Sequence, residues 1–128
     1  MEVDADIRLG LKHSSTEAAD GENLQYTILY HEQPFGSVQV YGREKNATHM
    51  GYSHANVPEA QGKGLVTKSA RRLCKYVFEE QGLDEVRLYI RFENLPSMRV
   101  ATRLGAYFVK KVADTGLWVV TPGVLRNE

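Results

Sequence analysis

Apolar and polar residues alternate in the first half of the chain, which predicts antiparallel strands before any long helix. Residues 24–31 are rich in Tyr, Ile and Leu, and residues 37–41 alternate around two valines. The segment between them, Glu32–Gly36, has the composition of a turn. We therefore expect a hairpin, followed by a third strand at Thr48–Ala55.

The segment before this hairpin gives weaker signals. Residues 3–12 alternate enough to add an edge strand. Ser14–Glu17 has the spacing of a capping box, but Gly21 follows so soon that only a short helix fits there.

The apolar period changes to three or four residues from Leu65 onward, which predicts an amphipathic helix that ends at Gly82. Its apolar stripe consists of Leu65, Val66, Ala70, Leu73, Cys74, Val77 and Phe78. The opposite side carries Lys68, Arg71, Arg72, Lys75 and Glu79. Cys74 is accordingly expected to be a small buried residue and not a nucleophile.

Three further elements follow this helix. Alternation predicts a strand at Glu85–Arg91, and a second helix is expected between an N-cap at Asn94 and a C-terminal glycine at Gly105. Two last strands are predicted at Tyr107–Val112 and Leu117–Thr121, around the turn Asp114–Gly116. Tyr52, Tyr89 and Tyr107 are expected to pack on strand faces, with Tyr52 as a candidate for lining a substrate cleft.

The order of strands, helix, strand, helix and strands predicts an α/β fold with a mixed, mostly antiparallel central sheet flanked by helices. We find no repeat, low-complexity tract or linker that would divide the chain, so residues 1–128 are expected to form a single domain.

Composition narrows the class of protein. The chain has 128 residues, 16 Lys plus Arg against 16 Asp plus Glu, and one Cys. Zero net charge argues against a nucleic-acid module, and no apolar run approaches the length of a membrane span. The single Cys excludes an internal disulfide and a thiolate zinc site, and His13, His31 and His49 show no metal-binding spacing, so we expect a cytoplasmic protein without a metal.

Positive charge is nevertheless concentrated at residues 61–75, which hold five bases and no acid. Gln61–Gly64 lies between a predicted strand and a predicted helix, where free backbone N–H groups and the helix dipole favour an anion. An ordinary turn that uses glycine for its dihedral angles is the alternative. The spacing fits neither a P-loop nor a dinucleotide fingerprint, because Val57, Gly64 and Thr67 occupy the decisive places.

Two separated blocks resemble the GNAT acyltransferases, and specifically the branch of ribosomal-protein and other protein N-terminal acetyltransferases. The first block is Gly51-Tyr52 with Val57–Gly64, and the second is Glu93–Ser97 with Arg99–Ala101 and Leu104-Gly105. The resemblance covers roughly residues 24–121. It implies a GNAT-like fold whose first helical segment is abbreviated, because little room remains between Gly10 and Leu24.

The resemblance also implies a site for acetyl-CoA as co-substrate. The pyrophosphate loop corresponds to Gln61, Gly62, Lys63, Gly64, Leu65 and Val66, and the backbone of Ala55, Asn56 and Val57 corresponds to the strand that pairs with pantetheine. Asn94 resembles the family asparagine that hydrogen-bonds the cofactor, although it also suits an N-cap. Val66 replaces a small residue of the family pattern, so it either crowds the cofactor or faces the core. Lys68, Arg71 and Arg72 follow closely enough to meet a phosphate.

Acetyl transfer to an amine needs a base, a donor for the oxyanion and an acid for the leaving thiolate. The place of the family tyrosine that protonates the thiolate is Ala101, and the resembling branch implies Ser97 as the acid instead. Ser97 also suits the first turn of a helix. His54, with an ordinary pKa of about 6.5, and Glu59 are both candidate bases, and each also has an unremarkable reading as a strand-end histidine or a solvated carboxylate.

The implied reaction is transfer of acetyl to a primary amine, such as a protein N-terminus or a small amine. An acidic N-terminal third favours a cationic acceptor. In the family, the first helical segment builds one wall of the acceptor site. Because that segment is abbreviated here, a second copy of the chain is expected to complete the site in a homodimer. The alternative is a non-catalytic GNAT-like module that binds CoA or a partner protein. A nucleic-acid module that uses the basic face from Lys68 to Lys75 is the least favoured interpretation.

Overall fold

A computed structural model describes residues 1–17, 21–54 and 64–126, in which seven strands form one sheet and two helices pack on it. The strands are β1 (Ile7–Glu17), β2 (Gly21–Tyr30), β3 (Gln33–Glu44), β4 (Ala47–His54), β5 (Glu85–Arg91), β6 (Tyr107–Val112) and β7 (Thr115–Val120). The helices are α1 (Leu65–Glu79) and α2 (Leu95–Leu104).

The strand order across the sheet is β1-β2-β3-β4-β5-β7-β6. Among the pairings of these described strands, β4–β5 is parallel and the others are antiparallel. The mixed, mostly antiparallel sheet that the sequence predicts is therefore confirmed.

The predicted hairpin is also confirmed, but its turn is shorter than expected. β2 and β3 are joined by His31 and Glu32, both with positive φ values of 48° and 65°. A two-residue turn of this kind matches the twist of the flanking strands. Pro34 and Phe35 already belong to β3, next to a register shift in the pairing with β2.

The short helix predicted from Ser14–Glu17 is wrong. These residues are the last four of β1 and pair with Gly21–Leu24 of β2. Pairing along a neighbouring strand has overridden a local capping pattern, which is a weak signal when no apolar helical period follows it. Among the described residues, no helix lies between β1 and β2.

The core lies between the sheet and α1. Leu73, Cys74 and Val77 of α1 are fully buried, and Ile28 and Val38 meet them from the sheet. Burial of a side chain of this size contributes roughly 1.5–3 kcal/mol, so these contacts explain why α1 packs where it does.

One residue on the charged side of α1 is buried. Arg71 is only 7% exposed, although it lies on the side that carries the charged residues. The reason lies in the segment before β1, which returns along the strand edge and covers this side of the helix. Arg72 Nε donates to the carbonyl oxygen of Glu2 at 3.0 Å, and Lys68 Nζ lies 3.7 Å from Asp4 Oδ2.

The far end of the sheet is built around aromatic rings. Trp118 of β7 packs edge-on against Phe108 of β6 and Phe92 after β5, with ring centroids 5.2 Å and 6.0 Å apart. The Trp118 ring lies over Gly116, where an added Cβ would be 2.5 Å from the ring. A glycine is therefore required beneath this ring.

Candidate active site

The two long edges of β4 are bonded differently. Along one edge, β4 pairs with β3 from Tyr41↔His49 to Gly36↔His54. Along the other edge, its parallel pairing with β5 ends at His49↔Arg87, although both strands continue. The strands therefore separate, and the backbone from Met50 to His54 has an open edge toward β5.

A cleft of about 530 Å³ lies at this fork. It is bounded by the open stretch of β4, the start of α1 and one side of α2. Its lining residues are Phe35, Tyr52, Ser53, Gly64, Leu65, Val66, Thr67, Asn94, Pro96, Ser97, Arg99, Val100 and Arg103. Residues from both sequence blocks thus line one cleft.

The start of α1 supplies backbone donors to the cleft. Gly64 precedes the helix with a φ of 67°, and the first helical bond runs from the Lys68 N–H to its carbonyl. No side chain of the residues that the structure describes caps this end, and the first turn carries no acid. The N–H groups of this turn and the helix dipole favour an anion here.

The start of α2 forms the opposite wall. The Asn94 side chain accepts a hydrogen bond from the Ser97 N–H at 3.2 Å, and Pro96 stands in the first turn. Gly105, with a φ of 95°, ends the helix as predicted. The N-cap prediction for Asn94 is therefore confirmed, and the cap brings both Asn94 and Ser97 to the cleft.

Two arginines on α2 also reach the cleft, and sequence reasoning did not single them out. Arg99 and Arg103 are one helical turn apart and exposed. Residues at this spacing share a helix face, which was the signal available in the sequence. They place positive charge at the cleft, whereas Lys68 and Arg72 contact the segment before β1.

Tyr52 crosses the cleft from β4 to α2. Its hydroxyl donates to the carbonyl oxygen of Ser97 at 2.7 Å. Burial raises the pKa of Tyr52, nearby Cys74 adds to this rise, and a backbone hydrogen bond with Ala101 offsets part of it. The other two tyrosines expected to pack, Tyr89 and Tyr107, are each 45% exposed. The Tyr89 ring stacks on His49 of β4 with centroids 5.5 Å apart, so the prediction is confirmed there. Tyr107 belongs to the exposed strand β6, so the prediction is wrong at that residue.

The structure brings together the five predicted cofactor and acid residues that it describes in this region, namely Gly64, Leu65, Val66, Asn94 and Ser97. His54 ends β4 beside the cleft, but its side chain lies outside the described residues. Ala55, Asn56, Val57, Glu59, Gln61, Gly62 and Lys63 also lie outside them. The chemical roles assigned to all of these residues stay predictions.

The structure explains two departures from the family pattern, at Val66 and at Ala101. Val66 is 7% exposed and belongs to the core cluster, while part of it lines the cleft. Ala101 is fully buried, so a bulky side chain there would have to displace the core instead of reaching the cleft.

Cys74 is fully buried, and this burial raises the pKa of its thiol to about 12, with Arg71 opposing the rise. It is therefore a packing residue, as expected. Within residues 1–17, 21–54 and 64–126, no three metal-ligating side chains converge. In the same ranges, no helix has the length and apolar character needed to cross a membrane.

Comparison with known proteins identifies the family. The model of the acetyltransferase (GNAT) domain matches residues 4–107. A Bacillus subtilis (strain 168) protein named as a ribosomal N-acetyltransferase, YdaF, is 30% identical over 103 residues, which cover 79% of this chain and 55% of that protein. This chain therefore belongs to the GNAT acetyltransferase family, and the resemblance seen in its sequence is confirmed.

Solved structures agree on the fold. A Vibrio cholerae structure named as a ribosomal-protein-serine acetyltransferase superposes with a TM-score of 0.70 at 18% identity, over 78% of this chain and 64% of that one. A dodecameric spermidine N-acetyltransferase from Vibrio cholerae gives a TM-score of 0.68 at 16% identity, over 77% and 64%. The chain thus spans between half and two thirds of the length of these relatives.

Proposed function

We propose that this protein is an N-acetyltransferase that moves an acetyl group from acetyl-CoA directly to a primary amine. The observation that carries the proposal is the cleft at the fork, where an open strand edge, the start of α1 and the Asn94–Ser97 turn meet. Membership of the GNAT family supports the same reaction.

The residues of the cleft fit acetyl-CoA, which supplies the acetyl thioester when it is bound. The first turn of α1 offers N–H donors to a pyrophosphate, and Arg99 and Arg103 add positive charge on the facing helix. The open edge of β4 offers amide and carbonyl groups to an extended, amide-containing chain. Gln61–Lys63 would complete the phosphate loop, as the family resemblance implies.

The reaction places defined demands on the remaining residues. The amine nitrogen attacks the thioester carbonyl, so a C–N bond forms and the C–S bond breaks. His54 or Glu59 takes the proton that the amine loses, backbone N–H groups near the end of β4 stabilise the oxyanion, and Ser97 donates a proton to the departing thiolate.

We infer a cationic amine on a protein N-terminus or a small molecule as the acceptor. One relative is named for ribosomal proteins and another for spermidine, so both kinds of amine occur among similar folds. Acetylation assays with N-terminal peptides and with spermidine, read by mass, would choose between them.

A homodimer through β6 is the partner state that we propose. All six residues of β6 are exposed, and Tyr107, Phe108 and Val109 are each 45–50% exposed along an edge of the sheet. This exposed apolar stretch at the start of β6 is typical of an interface, and Lys110 and Lys111 follow it on the same strand. Light scattering after size exclusion should give twice the monomer mass, and replacing Val109 with Lys should restore the monomer mass.

Calorimetric titration of acetyl-CoA is the test of the function. We expect a dissociation constant in the micromolar range, and a tenfold or greater weakening in Asn94→Ala. Asn46→Ala, at an exposed turn away from the cleft, is the matched control and should bind like the wild type. Undetectable binding at millimolar ligand would refute the proposal, and binding without acetylation of any amine would support the non-catalytic alternative.

A further inference from the structure

Tyr52 lies in the part of β4 that pairs with β3 but no longer with β5. It lies opposite Val38 of β3, three residues beyond His49, where pairing with β5 ends. Its side chain points to the same side of the sheet as α2 and spans the gap that a continued strand ladder would have filled.

The contact that Tyr52 makes is directed at one peptide group. Its hydroxyl donates to the Ser97 carbonyl at 2.7 Å, while the Ser97 N–H donates to Asn94 Oδ1 at 3.2 Å. Ser97 is therefore held on both sides, once from its own helix cap and once from the sheet. Ala101, one helical turn after Ser97, is fully buried, and its small side chain lets the ring approach the helix closely.

The phenol is suited to a constant role as donor. Because burial raises the pKa of Tyr52, the group keeps its proton throughout the neutral and moderately alkaline range. Its proton is committed to a backbone carbonyl, so it is not available for a leaving thiolate. This geometry therefore fits a residue that positions α2 better than a residue that transfers a proton to the substrate.

We propose that Tyr52 is a positioning residue that fixes the first turn of α2, and with it the Ser97 hydroxyl, at the fork of the sheet. The inference rests on the proposed function of Ser97 as acid and extends it to a residue on a different element. The place of the family tyrosine, Ala101, is buried, and it lies one helical turn after the Ser97 carbonyl to which Tyr52 donates from β4.

A double-mutant cycle tests the proposal. Tyr52→Phe keeps the ring and removes the hydroxyl, so it should lower kcat about tenfold. The dissociation constant of acetyl-CoA should change less than twofold. In a Ser97→Ala background the same substitution should change kcat less than twofold, since the side-chain hydroxyl that the contact positions is absent. Tyr89→Phe, on an exposed ring, is the matched control and should have no effect in either background.

Equal losses from Tyr52→Phe in both backgrounds, or no loss in the wild-type background, would overturn the proposal. A second measurement does not need turnover. By NMR, the Ser97 amide should exchange with solvent at least tenfold faster in Tyr52→Phe than in the wild type, with no change in Tyr89→Phe. If the wild type shows no acetylation but this exchange effect is present, the proposed function fails while the positioning contact stands. The Ser97 amide is bonded to Asn94 Oδ1, so unchanged exchange would show that Tyr52 does not hold this turn and would overturn the proposal.

Discussion

The two edges of β4 present the same backbone to very different surroundings. Toward β3, the pairing continues to the end of the strand at His54. Toward β5, it stops after three residues, at His49. β4 is therefore hydrogen-bonded to a neighbouring strand along one edge and borders the cleft along the other.

This difference explains how a continuous sheet can hold a site for an extended ligand. The bonded edge keeps β4 rigid, so its open edge does not collapse when no ligand is present. Tyr52 also holds the open stretch of β4 in place, because its hydroxyl bonds to Ser97 of α2. The site is therefore preorganised by its bonded side.

Removal of the Ser97 hydroxyl should give the largest effect. We expect Ser97→Ala to lower kcat about a hundredfold, in line with loss of a general acid, and to leave the free energy of unfolding nearly unchanged. Steady-state acetylation kinetics are the measurement. Ser14→Ala, at an exposed position on β1 that does not line the cleft, should retain full activity. A kcat within threefold of the wild type would show that the thiolate receives its proton from another group.

Hydrogen exchange should separate the two edges of β4 directly. Amides of Met50–Ser53 that point toward β5 should exchange at least tenfold faster than those that point toward β3, because the former lack a strand partner. Addition of acetyl-CoA should slow the fast group. Similar rates on both edges without ligand would mean that the fork closes in solution.

Alkaline pH should lower the free energy of unfolding through two groups whose pKa burial raises, Cys74 on α1 and Tyr52 on β4. The pKa of Cys74 rises from 9.0 to about 12 on folding, and the pKa of Tyr52 rises from 10.0. Both groups hold their protons longer in the folded state, so this stability is complete below pH 9 and is lost as pH rises toward the folded values. The loss should approach about 1.4 kcal/mol per pH unit for each group.

Urea unfolding between pH 7 and pH 11 measures this loss. Cys74→Ala should flatten the part of the curve that begins near pH 9. An identical slope in the variant would assign the alkaline loss to other groups.

The smallest effect is expected at Gly64, at the mouth of the cleft. Among the residues that the structure describes, its added Cβ would meet nothing within 4 Å, but its φ is 67°. Gly64→Ala should therefore cost about 1 kcal/mol of unfolding free energy through backbone strain alone. Gly51→Ala on β4 is the comparison, since its φ is not left-handed and its Cβ would contact only the mobile end of Gln39 at 3.1 Å. A larger loss at Gly51 than at Gly64 would contradict this account.

Much of the fold was predictable because local pattern and tertiary environment agree. β5 and β6 match their predicted bounds residue for residue, since alternation or a flanking turn marks both ends. The failure at Ser14–Glu17 has the opposite cause, because its local signal conflicts with the pairing partner that the fold supplies.

The site was predictable in part. Asn94 and Ser97 carry a local signature, and their convergence with Gly64 follows from the fold. The fork depends on where the parallel pairing of β4 with β5 stops, and no local pattern in the two strand sequences marks that point. The role of Tyr52 was missed for the same reason, since its partner lies 45 residues away on a helix.

The cluster around Trp118 gives the molecule a spectroscopic reporter. Trp118 is the single tryptophan of the chain, so its emission comes from one place. It contacts Phe92, which stands two residues before the cap of α2, and lies on the β5 side of the fork. A shift of its fluorescence on titration with acetyl-CoA would report movement of that side without any label.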